Sequence, residues 1–323
     1  MTSTTYESAA APETDLRRRG IRLGDILFKG IAIVAAAAAT VLLGLIAWKI
    51  LELAWPAIRE FGLSFVWTDA WDPVTRSFGA LAFIYGTVVT SLIALMIATP
   101  LSIAIALFLT EIAPRRVAAP IATMVELLAA IPSVVLGLWG ILVFGPWVRD
   151  YLEPWLQSVL GFLPVFSGEP WPAGILPAAL VLTIMIIPIT SAICRELFIR
   201  VPKELTDCAL ALGSTRWEAI RGVTFAYAAP GIAAAVLLWL GRAFGEAIAV
   251  NQTIGNRNVI PTSWFEPGDS LGSKIASEYV GATTVEQASS ILYLAAILMV
   301  ISLVTNVIAQ LIVVRFERAR RAV

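Results

Sequence analysis

Six long apolar segments constrain the fold of this 323-residue chain more than any other feature. Each contains about 20 mostly apolar residues, which is the length that a helix needs to cross the hydrocarbon core of a bilayer. Because no water is available there to bond backbone groups, each segment is expected to be an α-helix. The predicted spans are residues 27–50, 78–109, 121–143, 175–193, 223–250 and 288–314.

The composition agrees with a membrane protein and excludes several classes of function. Hydrophobic residues make up 59% of the chain and charged residues 14%, against about a quarter charged in soluble domains. The net charge is zero, so the chain is not a polycation that would bind nucleic acid. It has no histidine, which removes histidine-based catalysis and histidine metal sites. We therefore expect no catalytic site, metal or cofactor, and interpret Cys194 and Cys208 as packing residues.

The distribution of lysine and arginine predicts the orientation of the spans. Most of the 23 basic residues lie on one side of the membrane if the N-terminus is cytoplasmic, as the positive-inside rule requires. Both termini are then cytoplasmic. The expected regions are an N-terminal tail (1–26, its first 15 residues disordered), the first span with a large outside loop (27–77), a core with the other five spans (78–314) and a C-terminal tail (315–323).

One arginine lies inside the fifth predicted span. Arg242 is followed four residues later by Glu246, which predicts a cation and a carboxylate on one helix face. A charge near the bilayer centre costs about 2.5–3.5 kcal/mol on insertion scales, so such a residue needs a function or a partner. Arg242 could pair only with Glu246, pair with another subunit, or line a path for an anion. Gly241 and Gly245 form a GxxxG pair, whose default role is close helix packing.

The loop between the fourth and fifth spans, residues 195–222, is expected to contain a short helix over residues 202–212. Glu204 and Asp207 lie in its early turns, and Gly213 suits its end. The apolar residues that share one face are Leu205, Cys208, Ala209 and Leu212. A second helix should start after Ser214 or Thr215 as the N-cap. The first helix is either a surface element or one that docks in a groove of a soluble partner.

The loop motif resembles a known pattern. The loop contains the run Asp207-Cys208-Ala209, followed after three residues by Gly213. This pattern resembles the EAA loop of ABC-importer permeases, with Asp in place of Glu and Cys in place of the first Ala. The residues after the loop, 223–226, also differ from the usual Ile-x-Leu-Pro. Four other segments are similar to PstC-type permeases of phosphate ABC importers, in the family of binding-protein-dependent transport system inner-membrane components. They are residues 78–91, 107–111, 130–137 and 240–246.

The resemblance implies an all-α protein with six transmembrane helices and the type I ABC importer permease (MetI-like) fold. It implies a permease subunit for inorganic phosphate, with Arg242 and Glu246 in the translocation path. The loop residues implied to couple to the ATPase are Glu204, Asp207, Ala209 and Gly213. The implied partners are a second, PstA-like permease, a PstB-like ATP-binding dimer and a PstS-like phosphate-binding protein.

Other functions remain as alternatives. The chain has no P-loop of the form Gly-x-x-x-x-Gly-Lys-Ser/Thr, so the energy must come from a separate subunit or an ion gradient. An importer for another oxyanion, such as sulfate or molybdate, would fit the same pattern. An ion-coupled secondary carrier is disfavoured by the EAA-like loop and by the lack of a convincing inverted repeat.

Overall fold

The computed structural model describes residues 23–321. The predicted disordered tail, residues 1–15, therefore lies outside the described residues. The chain divides into two compact units, residues 1–49 and 50–323. The described part of the first unit belongs to the long helix α1 (Leu23–Phe61), and the second unit contains all the other elements.

Apart from one short hairpin, the described secondary structure is helical. The helices after α1 are α2 (Ser64–Trp67), α3 (Leu81–Leu107), α4 (Arg115–Ala129), α5 (Ser133–Trp139), α6 (Gly145–Trp147), α7 (Glu153–Leu160), α8 (Ile175–Ile199), α9 (Lys203–Ala211), α10 (Arg216–Ala219), α11 (Ala226–Phe244), α12 (Ile248–Thr253), α13 (Leu271–Glu278) and α14 (Val285–Arg321). Strands β1 (Trp71–Asp72) and β2 (Ser77–Phe78) form the antiparallel hairpin, in which Trp71 pairs with Phe78. Wider π-helical turns cover Phe108–Ile112, Gly140–Phe144, Val148–Leu152 and Ile220–Phe225, and a 3₁₀ turn covers Pro164–Phe166.

Six helical segments within residues 23–321 are long and apolar enough to cross a membrane. They are Ile26–Phe61, Leu81–Ile112, Ser133–Leu160, Ile175–Ile199, Arg216–Phe244 and Val285–Ile312. Their number agrees with the sequence prediction, and the chain is a multi-pass membrane protein. The sixth helix continues to Arg321, so most of the predicted C-terminal tail is helical.

The third span differs from the prediction, which placed it at residues 121–143. Helix α4 ends at Ala129, and a new helix starts after Pro132, whose extended backbone (φ −60°, ψ 140°) is its N-cap. The residue before a proline disfavours helical backbone angles, so helix α4 ends just upstream of Pro132. The span instead covers Ser133–Leu160 and so extends well beyond the predicted end at residue 143. By contrast, Pro100 and Pro188 lie within continuous helices.

Small and hydroxyl side chains allow the spans to pack closely. Ala94 and Ala98 of α3 are fully buried, and they share a core cluster with Leu182 and Ile186 of α8 and Ala243 of α11. The Ser102 hydroxyl on α3 donates to the Ile187 carbonyl on α8 over 3.3 Å, which is one way in which membrane helices associate without a hydrophobic driving force. This packing holds α11, and with it Arg242, against α8.

A second core forms around the hairpin, at one end of the spans. Phe65, Trp71, Phe78 and Phe83 are buried there, and the Phe65 ring stacks on Tyr293 of α14 with 4.4 Å between centroids. The segment between α12 and α14, residues 254–284, folds against this core through Leu271, which is fully buried. It thereby lies beside the start of α3.

Candidate functional site

Helix α11 ends within the predicted fifth span. Its last residue is Phe244, and Gly245 is its C-cap, with the Gly245 amide donating to the Arg242 carbonyl over 3.0 Å. A new short helix, α12, starts at Ile248. The Glu246 carboxylate accepts from the Ala249 amide over 3.4 Å and so caps the first turn of α12. We call residues 245–247 the break.

Because of the break, the prediction that Arg242 and Glu246 share one helix face is wrong. Glycine is a poor helix former, and Gly245 ends the hydrogen-bond ladder before a further turn forms. No ion pair within the described residues joins the two side chains. Each has a different partner, so the pair is not a closed structural ion pair within this chain.

Arg242 lies in the last turn of α11, where a cation is favoured by the helix dipole. Its guanidinium carbon lies 5.2 Å from the centroid of the Trp239 ring, one turn earlier, in a cation–π contact. The side chain is exposed on this chain, and Glu246 is half-buried. A cation that is exposed at membrane depth requires a wet path or a second chain.

Arg242 and Glu246 line one cavity of about 260 Å³. Its other walls come from the junction of α4 and α5, from α8 and from α11, with Leu128, Ala129, Ile131, Pro132, Ser133, Leu136, Leu182, Met185, Ile186, Ile189, Trp239 and Ala243. One water needs about 10–15 Å³ of such space, so the cavity has room for a small ion with several waters. The structure thus brings together the two predicted path residues, and it adds Trp239 and the proline junction.

The two glycines of the predicted packing pair have different environments. A Cβ on buried Gly241 would lie 3.0 Å from the Asn306 Oδ1 of α14, so α11 and α14 approach closely there. Gly245 is exposed, and a Cβ on it would meet only its own turn, the Arg242 carbonyl oxygen at 3.5 Å. Gly241 therefore fits the predicted packing role, whereas Gly245 ends a helix.

The predicted short helix of the 195–222 loop is α9. It ends in a Schellman motif, in which the Gly213 amide bonds the Leu210 carbonyl (3.0 Å) and the Ser214 amide bonds the Ala209 carbonyl (3.1 Å). Gly213 has φ +92°, a left-handed conformation that favours glycine. Thr215, one of the two predicted N-cap residues, caps the next helix in a reciprocal capping box with Glu218.

The predicted coupling residues lie on the surface of this loop. Glu204, Asp207 and Gly213 are exposed, and Ala209 is half-buried. Leu212 is 88% exposed and Trp217 65% exposed, which leaves large apolar side chains uncovered beside the motif. Asp207 also lines a cavity of about 920 Å³ that extends to the end of the second span at Glu111.

A contact that the sequence did not indicate joins this loop to that span. The Arg216 guanidinium at the start of α10 donates to the Glu111 carbonyl in the π-helical turn that ends the span. Nearby, Arg195 of α8 lies 3.4 Å from Glu126 of α4. The loop is therefore connected to the second span and is not a free appendage.

Comparison with known proteins identifies the family. The model for the binding-protein-dependent transport system inner membrane component matches residues 98–321, which is more than half of the chain. The chain belongs to this family. The resemblance drawn from the EAA-like loop and the four permease-like segments is thereby confirmed.

Members of the family with curated names are similar along most of the chain. A phosphate transport system permease protein PstC of Mesorhizobium japonicum is 40% identical over 313 residues, which is 96% of each chain. The protein of the same name from Pasteurella multocida is 42% identical over 269 residues, covering 82% of this chain and 84% of the relative.

A solved structure supports the permease fold. The bacterial alginate ABC transporter in complex with an alginate-bound periplasmic protein contains a chain with a TM-score of 0.53 and 18% identity. The match covers 91% of this chain and 95% of that one. At this identity it bears on the fold alone, and it agrees with the predicted all-α, six-span ABC importer permease.

Proposed function

We propose that the chain is a transmembrane permease subunit of an ATP-driven importer for inorganic phosphate. The observation that carries this proposal is the 40% identity to a phosphate transport system permease over 96% of both chains. A match over 96% of the chain runs through all six spans. The site geometry gives the proposal a mechanism.

Arg242 is the proposed anion ligand of the path. A guanidinium presents a planar set of N–H donors that matches two phosphate oxygens at once, and it stays charged throughout transport. Trp239 holds the guanidinium from one side, which leaves its donors free toward the cavity. Glu246 lines the same cavity, and its negative charge partly balances that of Arg242 while the path is empty. Because its carboxylate accepts a hydrogen bond from α12, it does not form a direct ion pair with Arg242.

The exposure of Arg242 supports a second permease subunit as the other half of the path. Besides the cavity with Glu246, Arg242 borders an apolar cavity of about 360 Å³ between α8 and α11. Leaving an arginine against lipid there would cost several kcal/mol. A PstA-like subunit that covers this face would enclose the anion between two chains and keep the guanidinium hydrated or paired.

The α9–α10 loop is the proposed docking surface for a PstB-like ATP-binding dimer. Its exposed Leu212 and Trp217 suit a groove on a soluble partner. The Arg216–Glu111 contact would transmit movement of the docked loop to the second span. ATP hydrolysis on the partner would then drive alternating exposure of the Arg242 cavity, with both termini cytoplasmic and a phosphate-binding protein on the outside.

The test is transport by the complete importer in vesicles. We expect the binding protein and ATP together to drive accumulation of radiolabelled phosphate, insensitive to a protonophore. Unlabelled phosphate should compete, whereas sulfate and molybdate should not. Competition by sulfate or molybdate at equal concentration would assign another oxyanion, and ATP-independent, protonophore-sensitive uptake would assign a secondary carrier.

A further inference from the structure

A buried lysine lies in the segment between α12 and α14, outside the proposed path. Lys274 of α13 is only 2% exposed. Its ammonium donates to the Asn258 Oδ1 over 2.6 Å and to the Glu278 carboxylate, and it lies 3.9 Å from the Asp269 carboxylate. We call Asp269, Lys274 and Glu278 the buried charge cluster.

Two aromatic rings complete the environment of the ammonium. The Lys274 nitrogen lies 5.2 Å from the Trp71 ring centroid and 5.3 Å from that of Phe83. The Trp71 indole also donates to Glu278 over 3.0 Å. Taking a charge out of water costs several kcal/mol before pairing, and a buried ion pair is often no more stable than apolar side chains. Packing alone therefore does not account for a lysine here.

Helix α13, which carries Lys274 and Glu278, is hydrogen-bonded to two neighbouring helices. The Leu271 amide donates to the Thr87 hydroxyl on α3 over 2.8 Å. The Ser273 hydroxyl lies 3.0 Å from the Asn251 Oδ1 on α12. The first turn of α13 is thus bonded on one side to α3 and on the other side to the helix that follows the break.

The same turn lies directly against the break. A Cβ on Gly272 would be 3.3 Å from the Ala247 Cα and 3.3 Å from the Glu246 carbonyl oxygen. Gly272 allows this approach, and it is two residues from Lys274 in the same helix. The buried charge cluster and the backbone of Glu246 are therefore joined by one rigid turn of helix.

We propose that α13 is a relay in which the buried charge cluster sets the conformation of the break, so that the 254–284 segment controls the cavity of Arg242 and Glu246. The relay rests on the proposed function only for its role in transport. The mechanical connection between Lys274 and the break does not depend on which solute crosses. A partner that moves the exposed end of α13, at Tyr279 and Val280, would act on the path through the relay.

The first experiment measures the break itself. A single thiol is introduced by Ala247→Cys in a chain with Cys194→Ala and Cys208→Ser, and its rate of reaction with a maleimide is measured in the assembled complex. Lys274→Met keeps the apolar stem but leaves the buried Asp269 carboxylate and the half-buried Glu278 carboxylate without a cation. We expect the labelling rate at position 247 to change at least about fivefold.

Two further variants separate the relay from general damage to the fold. Lys274→Met combined with Glu278→Gln restores the net charge of the cluster, and it should return the rate to within about twofold of the parent. Gly272→Ala leaves the charges intact but adds a Cβ against the break, so it should change the rate even if Lys274→Met does not assemble. Arg257→Met removes an exposed cation from the same segment and should have no effect.

The outcomes are distinct for the two proposals. An unchanged rate in both Gly272→Ala and an assembled Lys274→Met would overturn the relay, whatever the substrate. A changed rate without rescue by Glu278→Gln would also overturn it, since the charge balance would then not be the cause. If the rates behave as expected but the complex does not import phosphate, the proposed function fails and the relay stands.

Discussion

At the scale of single residues, two cations of this chain occupy opposite environments. Arg242 is exposed near the end of the fifth candidate span and has an aromatic ring but no carboxylate partner within the described chain. Lys274 is buried and is surrounded by two carboxylates, an amide oxygen and two rings. The first arrangement leaves donors free for an anion, whereas in the second the ammonium makes two hydrogen bonds and two ion pairs within the chain. The environment of Arg242 suits the proposed binding of an anion, whereas that of Lys274 suits the proposed anchoring of α13.

The buried charge cluster predicts a pH dependence of stability. Burial raises the pKa of Asp269 to about 6, above its ordinary value of 3.8. The folded protein then holds the proton more tightly than the unfolded chain, so this contribution to stability is present below about pH 4 and is lost as the pH rises through 6. Each unit of pKa difference corresponds to about 1.4 kcal/mol.

Asp269→Asn removes that titration and leaves the neighbouring groups in place. On raising the pH from 5 to 7.5, the thermal midpoint of the wild-type complex should fall relative to that of the variant. Differential scanning fluorimetry at both values measures it. If the two thermal midpoints change in parallel, or if the wild-type midpoint rises relative to that of the variant, the assignment of the proton to Asp269 is contradicted.

The sequence indicated one of these cations and not the other, for a physical reason. Arg242 interrupts an apolar run, so the free-energy cost of placing its charge in the membrane is evident from the sequence alone. Lys274 lies in a polar loop, where a lysine is ordinarily solvated. Its burial depends on Trp71 and Phe83, which are about 200 and 190 residues away in sequence, and no local pattern encodes such a contact.

At the scale of elements, the ends of helices line the candidate site. The number of spans and the short loop helix followed from hydropathy and capping residues. The break was missed because the apolar run continues through Gly245, and hydropathy does not distinguish a continuous helix from an interrupted one. The junction at Pro132 was missed for the same reason. Both interruptions line the Arg242 cavity, where irregular backbone is tolerated at membrane depth.

Because α11 and α14 approach closely at Gly241, substitutions at Gly241 and Gly245 should lower the stability of the protein by different amounts. Gly241→Leu would force a side chain against Asn306, and overpacking of this kind costs about 1–3 kcal/mol. Gly245→Ala, the matched control, adds a methyl group at ordinary contact distance and should change the thermal midpoint little. Equal destabilisation by the two would contradict the packing described for Gly241. Thermal unfolding of the purified complex provides the comparison.

The loop helix predicts a loss of ATPase binding when its motif is altered. Asp207→Lys reverses an exposed charge, and Gly213→Val places a branched residue at φ +92°, which costs about 1–2 kcal/mol. The double variant should lower co-purification of the ATP-binding subunit at least about tenfold. Val280→Asp, at the exposed end of α13, is the control and should leave it unchanged. Full co-purification in the double variant would remove the docking role of α9.

At the scale of the whole molecule, the proposed function depends on the orientation of the chain in the membrane. The positive-inside distribution predicts that the α9–α10 loop lies in the cytoplasm and the 254–284 segment outside. The exposed thiol of Cys208 is a native probe of the loop, and Thr262→Cys, in a chain with Cys208→Ser, is its counterpart in the segment. Cys194 is buried and should not interfere.

A membrane-impermeant maleimide should label position 262 in intact spheroplasts and Cys208 only in inside-out vesicles. The ATP-binding subunit is left out of these samples, because it would cover the loop. The reverse pattern would invert the topology and would move the proposed ATPase surface to the wrong side of the membrane.

The most direct test of the central claim is phosphate import by the complete transporter with Arg242→Gln. Glutamine keeps a polar side chain but removes the permanent charge and the planar set of five donors. With the complex assembled and its ATP-binding dimer bound, we predict that uptake falls at least about tenfold. Arg257→Gln, an exposed cation outside the path, should keep wild-type uptake. Wild-type uptake by an assembled Arg242→Gln complex would contradict the account.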